Sequence, residues 1–326
     1  MSSPGTEATK VVLLGAAGTG TSFAVAARLR ASWGTAVRIV GMDVNEPELV
    51  TTSLLCDRCY RVSPAASDAF YEEVIEIIES EGITTYLPIV NDEFLHAQAM
   101  RRDRRAAGVD IILPDDPGVE LCRDKYLLNT WLLQLAIPTP ETCLPEERTG
   151  NGPWFMKPRN AFGSRGSRRA DEQDLAAFRP SELSGLILQE VCEHPEVTVD
   201  CFCDAECGYR VTICRERLET KAGVCTKARL FRDHELERYA RIIGQTLGVR
   251  GTFCFQVMKA RGQWVVTDLN MRPGAGTAMS CAAGFDVLSA MFACRWRLPY
   301  EGYFRNDTVD IDLIVTRQYS EFLMHV

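Results

Sequence analysis

What this sequence lacks narrows its function before any motif does. No apolar run approaches the roughly 20 residues of a membrane span, and the N-terminal MSSPGTEATK is polar, without the apolar core of a signal peptide. Both absences lead to the expectation of a soluble, cytoplasmic protein with no membrane partner. There is no excess of positive charge either. The 36 Lys and Arg stand against 44 Asp and Glu, a formal net charge of -8, whereas a general nucleic-acid binder carries a basic excess. No internal repeat or low-complexity segment is visible. A Walker loop, G-x-x-x-x-G-K, is missing. So is a second cysteine pair with zinc spacing: Cys56 and Cys59 have it, but Cys201, Cys203 and Cys207 fall across a strand and a turn. Thirteen cysteines, an odd number in a long chain without an export signal, point to reduced thiols, with structural zinc the lesser expectation.

What is present is enough chain, 326 residues, for two domains with full cores. Lys10 to Gly15, KVVLLG, reads as a buried strand, followed by the glycine-rich turn AAGTG and an apolar helix from Ser22 to Leu29. A second strand, VRIVGMD, ends in Asp43, where the ribose-binding acid of a dinucleotide fold would sit. The fingerprint is incomplete, because Phe23 occupies the place of its third small residue. A helix from Ala69 to Ser80, the strand TTYLPIV, a helix in DEFLHAQAMRRDRRAAG and the strand VDIILP continue the alternation, which predicts a doubly wound parallel sheet. Asn91, Asp92 and Glu93 read as a helix cap with first-turn acids, and Arg101, Arg102, Arg104 and Arg105 as a solvated face. Asp115-Asp116-Pro117-Gly118 breaks the pattern and marks a domain boundary.

Beyond that break the cations become informative. Asp124 is a plausible N-cap for a helix with the stripe Leu127, Leu128, Trp131, Leu132 and Leu135, ending near Pro138. Lys125 then sits at a helix start, where the macrodipole gives its charge nothing and an anionic ligand would. In WFMKPRNAFGSRGS, Lys157 lies inside a hydrophobic strand, a costly place without a partner. The following loop, with Gly163, Ser164, Arg165 and Gly166, lets backbone N–H groups approach phosphates. The strand LILQEVC follows, whose backbone after Gln189 and Glu190 suits reading an adenine edge. Arg215, Arg217 and Lys221 follow a later strand and read equally as a substrate patch or a solvated run.

The stretch Gly251 to Pro273, GTFCFQVMKARGQWVVTDLNMRP, reads as an antiparallel hairpin turning at Ala260-Arg261-Gly262-Gln263. Strand alternation puts Asp268 and Asn270 on one face, and a three-residue loop, Arg261 to Gln263, would set Gln256 opposite Asp268. One carboxylate and two amide oxygens with no histidine nearby suit Mg2+ or Mn2+ rather than Zn2+. Arg272 adds a cation for an anionic substrate. Taken alone, a D-x-N is ordinarily the wet face of a hairpin.

The segments GAAGTG, DKYLLNTWLLQLAIPTPET, FMKPRNAFGSRGS, LQEVCEHPEVTVDCF, GTFCFQV and TDLNMR occur in an order and spacing that resemble the ATP-grasp superfamily over essentially the whole chain. The resemblance is to the branch of carbamoyl-phosphate synthetase large subunits and pyrrolysine-pathway ligases. It implies an α/β fold: a Rossmann-like domain over residues 1–114 that binds no dinucleotide, then an ATP-grasp domain over 115–326 with a small lid at about 145–192. It also implies that Lys125 and Lys157 contact phosphates, that the loop from Gly163 through Ser164 to Gly166 closes over them, and that Gln189, Glu190 and Val191 border adenine. Glu196 would bind ribose. Gln256, Asp268 and Asn270 would hold Mg2+ or Mn2+, with Asn270 and Arg272 the catalytic pair. Two departures stand out: Asp268 where the family usually has Glu, and Pro195 where it usually has Gly before Glu196. The implied activity is an ATP-dependent carboxylate–amine ligation through an acyl phosphate, on small-molecule carboxylates and amines such as amino acids, with a homodimer left open. The competing readings are an NAD(P)-dependent oxidoreductase using Gly15 to Gly20 with Asp43, and a non-catalytic ATP-binding regulator.

Overall fold

Strands that are apolar along their whole length must be covered on both faces, and the first unit of the fold does this with a parallel sheet. The computed structural model describes residues 9–150, 152–160, 166–221, 223–305 and 311–324. Its contacts divide the chain into Met1–Leu113 with Tyr319–Val326, and Pro114–Gln318. The first unit runs β1 (Lys10–Leu14), α1 (Gly20–Trp33), β2 (Val37–Asp43), β3 (Arg58–Arg61), α2 (Ala69–Glu81), β4 (Thr85–Leu87), α3 (Phe94–Met100) and β5 (Asp110–Ile111). The strand order is β3-β2-β1-β4-β5, all parallel. Val12, Leu13 and Leu14 are fully buried at its centre. Thr19 caps α1 by accepting from the Ser22 amide at 3.2 Å, and α2 stops at Gly82, whose φ of 61° favours glycine. The sequence pattern did not show that the last segment joins this unit, where Phe322 meets Phe23 edge-on at 5.8 Å.

The arginine run is less uniform than a solvated face. Helix α3 stops at Met100, and the Arg101 guanidinium donates to the carbonyls of Ile111, at 3.2 Å, and Leu113. Arg105 pairs with Glu72 and Asp103.

The second unit opens with α4 (Asp116–Arg123) and α5 (Lys125–Gln134). Helix α4 lies where a chain break was expected: Asp115 and Asp116 with Pro117 in the first turn form a helix start. Two antiparallel sheets follow. The smaller has order β6-β9-β7-β8, from β6 (Thr142–Cys143), β7 (Trp154–Pro158), β8 (Arg168–Ala170) and β9 (Leu186–Glu190), with α6 (Glu172–Ala176) and α7 (Pro180–Leu183) between β8 and β9. Trp154, Met156, Ala170, Leu175 and Leu188 make its own small core. The larger sheet is built from β10 (Glu193–Asp204), β11 (Tyr209–Lys221), β12 (Val224–Phe231), β13 (Arg250–Ala260), β14 (Gln263–Asn270) and β15 (Leu313–Thr316), in the order β14-β13-β10-β11-β12-β15. Helices α8 (His234–Thr246), α9 (Thr277–Ala282) and α10 (Val287–Arg295) complete the unit. Among the described residues no helix is long and apolar enough to cross a membrane.

Candidate functional site

Helix α5 starts where Asp124 accepts from the amides of Tyr126 and Leu127, both at 3.0 Å, and this fixes Lys125 in the first turn. Arg159 reinforces the cap, with its Nε 2.7 Å from both Asp124 oxygens and its guanidinium 5.3 Å from the Tyr126 ring centre. Sequence reading missed Arg159, since nothing in its spacing couples it to a helix start 35 residues earlier.

Lys157 is 7% exposed, and its Nζ donates to the Thr267 carbonyl at 3.2 Å. Burial lowers its pKa to about 8, opposed by the charge of Asp268 and assisted by that of Lys125. The three charges are therefore close neighbours. Gln256 pairs directly with Asp268 across the hairpin, as expected, but through a different turn. Ala260 pairs with Gln263, so the turn has two residues, Arg261 and Gly262, with φ of 51° and 75°. The register shifts between Gln256 and Val257, where Thr267 is the extra residue on β14. Two turn residues plus one bulged residue restore the facing that a three-residue loop alone was expected to give.

One cavity of about 330 Å³ collects these groups within the second unit. Lys125, Lys157, Gln256 and Asp268 line it, together with Gln189, Glu190, Val191 and Glu196 from the proposed nucleotide set. Asn270 donates from Nδ2 to Asp268 at 3.3 Å, and Arg272 from Nη1 to the Pro273 carbonyl at 2.9 Å; neither is among the described residues lining the cavity. Gly166 has a φ of 71°, and a Cβ there would lie 3.1 Å from Pro158. Gly163, Ser164 and Arg165 lie outside the described residues.

Several side chains are already engaged. Gln189 donates to the Thr142 hydroxyl at 2.8 Å. The Glu190 carboxylate accepts from the Glu141 amide at 2.9 Å and is paired with Arg261. Glu196 is paired with Arg217. Arg215 is no surface charge: it is 2% exposed, with Nε 3.1 Å from Asp200, which also accepts from Thr277 at 2.7 Å and Ser280 at 2.6 Å.

The dinucleotide alternative meets an obstacle in the first unit. The Asp43 carboxylate accepts from the amide of Gly18 at 2.6 Å and from Asn45 at 3.0 and 2.7 Å, so it is engaged by the glycine turn and its neighbour instead of standing free for a ribose. Cys56 and Cys59 both approach Gly41, but among the described residues no group of three or more His, Cys, Asp or Glu is placed to hold a metal. Burial pushes the Cys56 thiol up to about 12 and Cys59 to about 11.

Residues 122–276 match the sequence model of the ATP-grasp domain, a span that contains every residue from Lys125 to Arg272. Over that span the chain is similar to the ATP-grasp domain. Its resemblance to this superfamily, read from the order of motifs, thus holds for the domain and the fold. A carbamoyl phosphate synthase large chain from Thermomicrobium roseum is 29% identical over 259 residues, covering 70% of this chain and 23% of that relative. The 2-oxoglutarate carboxylase biotin carboxylase domain of Hydrogenobacter thermophilus, solved with MgADP and bicarbonate, superposes with a TM-score of 0.68 at 15% identity over 88% of this chain and 70% of that one. An L-amino acid ligase from Bacillus licheniformis gives 0.68 at 13% identity, over 89% and 75%. At these identities the solved structures speak for the ATP-grasp fold alone.

Proposed function

We propose that this protein is an ATP-dependent carboxylate–amine ligase that forms an amide through an acyl phosphate and releases ADP and phosphate. The observation that carries the reading is the cavity itself: two lysines, a carboxylate and a facing amide converge there, with a backbone edge beside Val191 for the base. Lys125 and Lys157 would hold the phosphates of ATP, and Glu196, oriented by Arg217, the ribose. Gln256, Asp268 and Asn270 fit Mg2+ or Mn2+, being oxygen donors on one face of the β13–β14 hairpin with no thiolate or imidazole among them. Such an ion, when bound, neutralises charge on the transferring phosphoryl group.

A carboxylate oxygen attacks the γ-phosphorus in line while the bond to the β-phosphate oxygen breaks, its electron pair leaving with ADP. The lysines offset the charge that develops, and Arg272 steadies the carboxylate. An amine then attacks the acyl carbon, phosphate departs, and the amine loses a proton. The names of the relatives supply candidate acids, amino acids and bicarbonate, all small molecules. The dimeric state named for the Hydrogenobacter domain keeps a homodimer in view.

The test is an ADP-release screen of amino acids, other carboxylates and bicarbonate, with hydroxylamine as a generic amine. The expected result is acid-dependent ADP with a hydroxamate of the same organic acid. ADP release that ignores every acid would make the protein a simple ATPase, and ATP binding with no ADP release under any condition would favour a non-catalytic regulator instead.

A further inference from the structure

Strand alternation divides two neighbouring arginines on β8 between different tasks. Arg168 turns to the core side, where its guanidinium lies 5.2 Å from the Phe178 ring centre. Arg169 turns the other way and lines the nucleotide cavity. Among the described residues no ion pair or side-chain hydrogen bond engages it.

Its neighbours describe what it faces. Phe155 pairs with Arg169 on one side and with Gln189 on the other, so the three stand in a row across β8, β7 and β9. All three line the cavity. The cavity has two chemically different ends. Lys157, two residues along β7 from Phe155 and therefore about 7 Å away, belongs with Lys125 and Asp268 at the charged end. Phe155 and Val191, which follows β9 on the side away from Lys157, make the other end apolar, and Met258 of the larger sheet is a further apolar group in the lining. A guanidinium set beside a phenyl ring at the apolar end offers a flat cationic surface, which suits the π face of a nucleobase more than a phosphate.

We propose that Arg169 is a base-stacking residue that, with Phe155, receives the purine ring of ATP. This rests on the reading of the cavity as a nucleotide site, and the experiment separates the two. Calorimetry with MgATP and with inorganic tripolyphosphate, on the parent chain and on Arg169→Ala and Arg169→Phe, tests it. Arg169→Ala should raise the Kd for ATP roughly tenfold, within the span of cation–π and stacking contacts, and leave tripolyphosphate unchanged. Arg169→Phe, which keeps a flat face without charge, should restore most of the ATP affinity. Equal losses for both ligands would make Arg169 a phosphate contact and overturn the proposal. Unchanged ATP binding in Arg169→Ala, or no rescue by Phe, would overturn it too. A parent chain that binds neither ligand would refute the nucleotide site itself.

Discussion

Lys157 donates to the carbonyl of Thr267, the residue by which β14 bulges from its partner strand. The bulge therefore serves two ends. It brings Asp268 opposite Gln256, and it presents a carbonyl to a buried ammonium that the surrounding strand could not otherwise satisfy.

Charge on Lys157 should control nucleotide affinity. Its pKa of about 8 in the free protein means that the cation is present below that pH and lost above it. MgATP affinity measured by calorimetry from pH 7 to 9 should fall as pH rises through 8. Lys157→Met should bind at least tenfold more weakly at pH 7, by loss of one charge-assisted contact, and should show a flatter profile. An unchanged pH dependence in the variant would remove Lys157 from the phosphate site.

Asp268→Asn should abolish metal-dependent turnover while ATP binding survives in part, because the lysines stay in place. Titration with Mg2+ and Mn2+ on the acid found by the ADP-release screen checks this. Near-parental activity would reduce Asp268 to a polar strand residue.

Much of this site was legible because each motif carries a local physical reason. A lysine at a helix start and a lysine within an apolar strand each run against the ordinary rules of burial and charge, and strand alternation puts the two side chains of the D-x-N on one face. What was not legible depends on contacts remote in sequence. The Thr267 bulge has no residue signature. Arg159 meets Asp124, and Arg261 meets Glu190, only through the folded sheets. Helix α4 was hidden because Pro117 signals both a break and a first turn. The attachment of the final segment to the first unit leaves no periodic trace.

The buried ion pair of Asp200 and Arg215 makes a stability prediction. Arg215→Met leaves the Asp200 carboxylate in the core with the hydroxyls of Thr277 and Ser280 as its remaining side-chain partners among the described residues. The cost should be about 3–5 kcal/mol, read by denaturant unfolding of the second unit's tryptophan signal. A loss under about 1 kcal/mol, typical of exposed pairs, would contradict that placement.

In the first unit, Glu93 is 3% exposed beneath the glycine turn, where a Cβ on Gly15 would come within 2.1 Å of its carboxylate. Burial raises its pKa from 4.5 to about 8, against the lowering influence of the nearby amides of Ile89, Val90 and Ala16, of which that of Ile89 donates to the carboxylate at 2.8 Å. Between those values the folded protein holds a proton that the unfolded chain has lost. Stability is thus complete below about 4.5 and falls as pH rises to 8, by up to about 1.4 kcal/mol per unit. Hydrogen exchange of the Val12 to Leu14 amides should show this slope in the parent and a flatter one in Glu93→Gln. Parallel slopes would contradict a protonated Glu93.

The ligase reading meets its most direct test in an isotope experiment. With 18O in the carboxylate of the activated acid, an acyl phosphate carries one labelled oxygen onto phosphorus, and amide formation releases it. Mass spectrometry of the products should find one 18O in inorganic phosphate alongside unlabelled ADP, with Arg272→Ala suppressing labelled phosphate more than it weakens ATP binding. Label in AMP, accompanied by pyrophosphate, would contradict the acyl-phosphate mechanism.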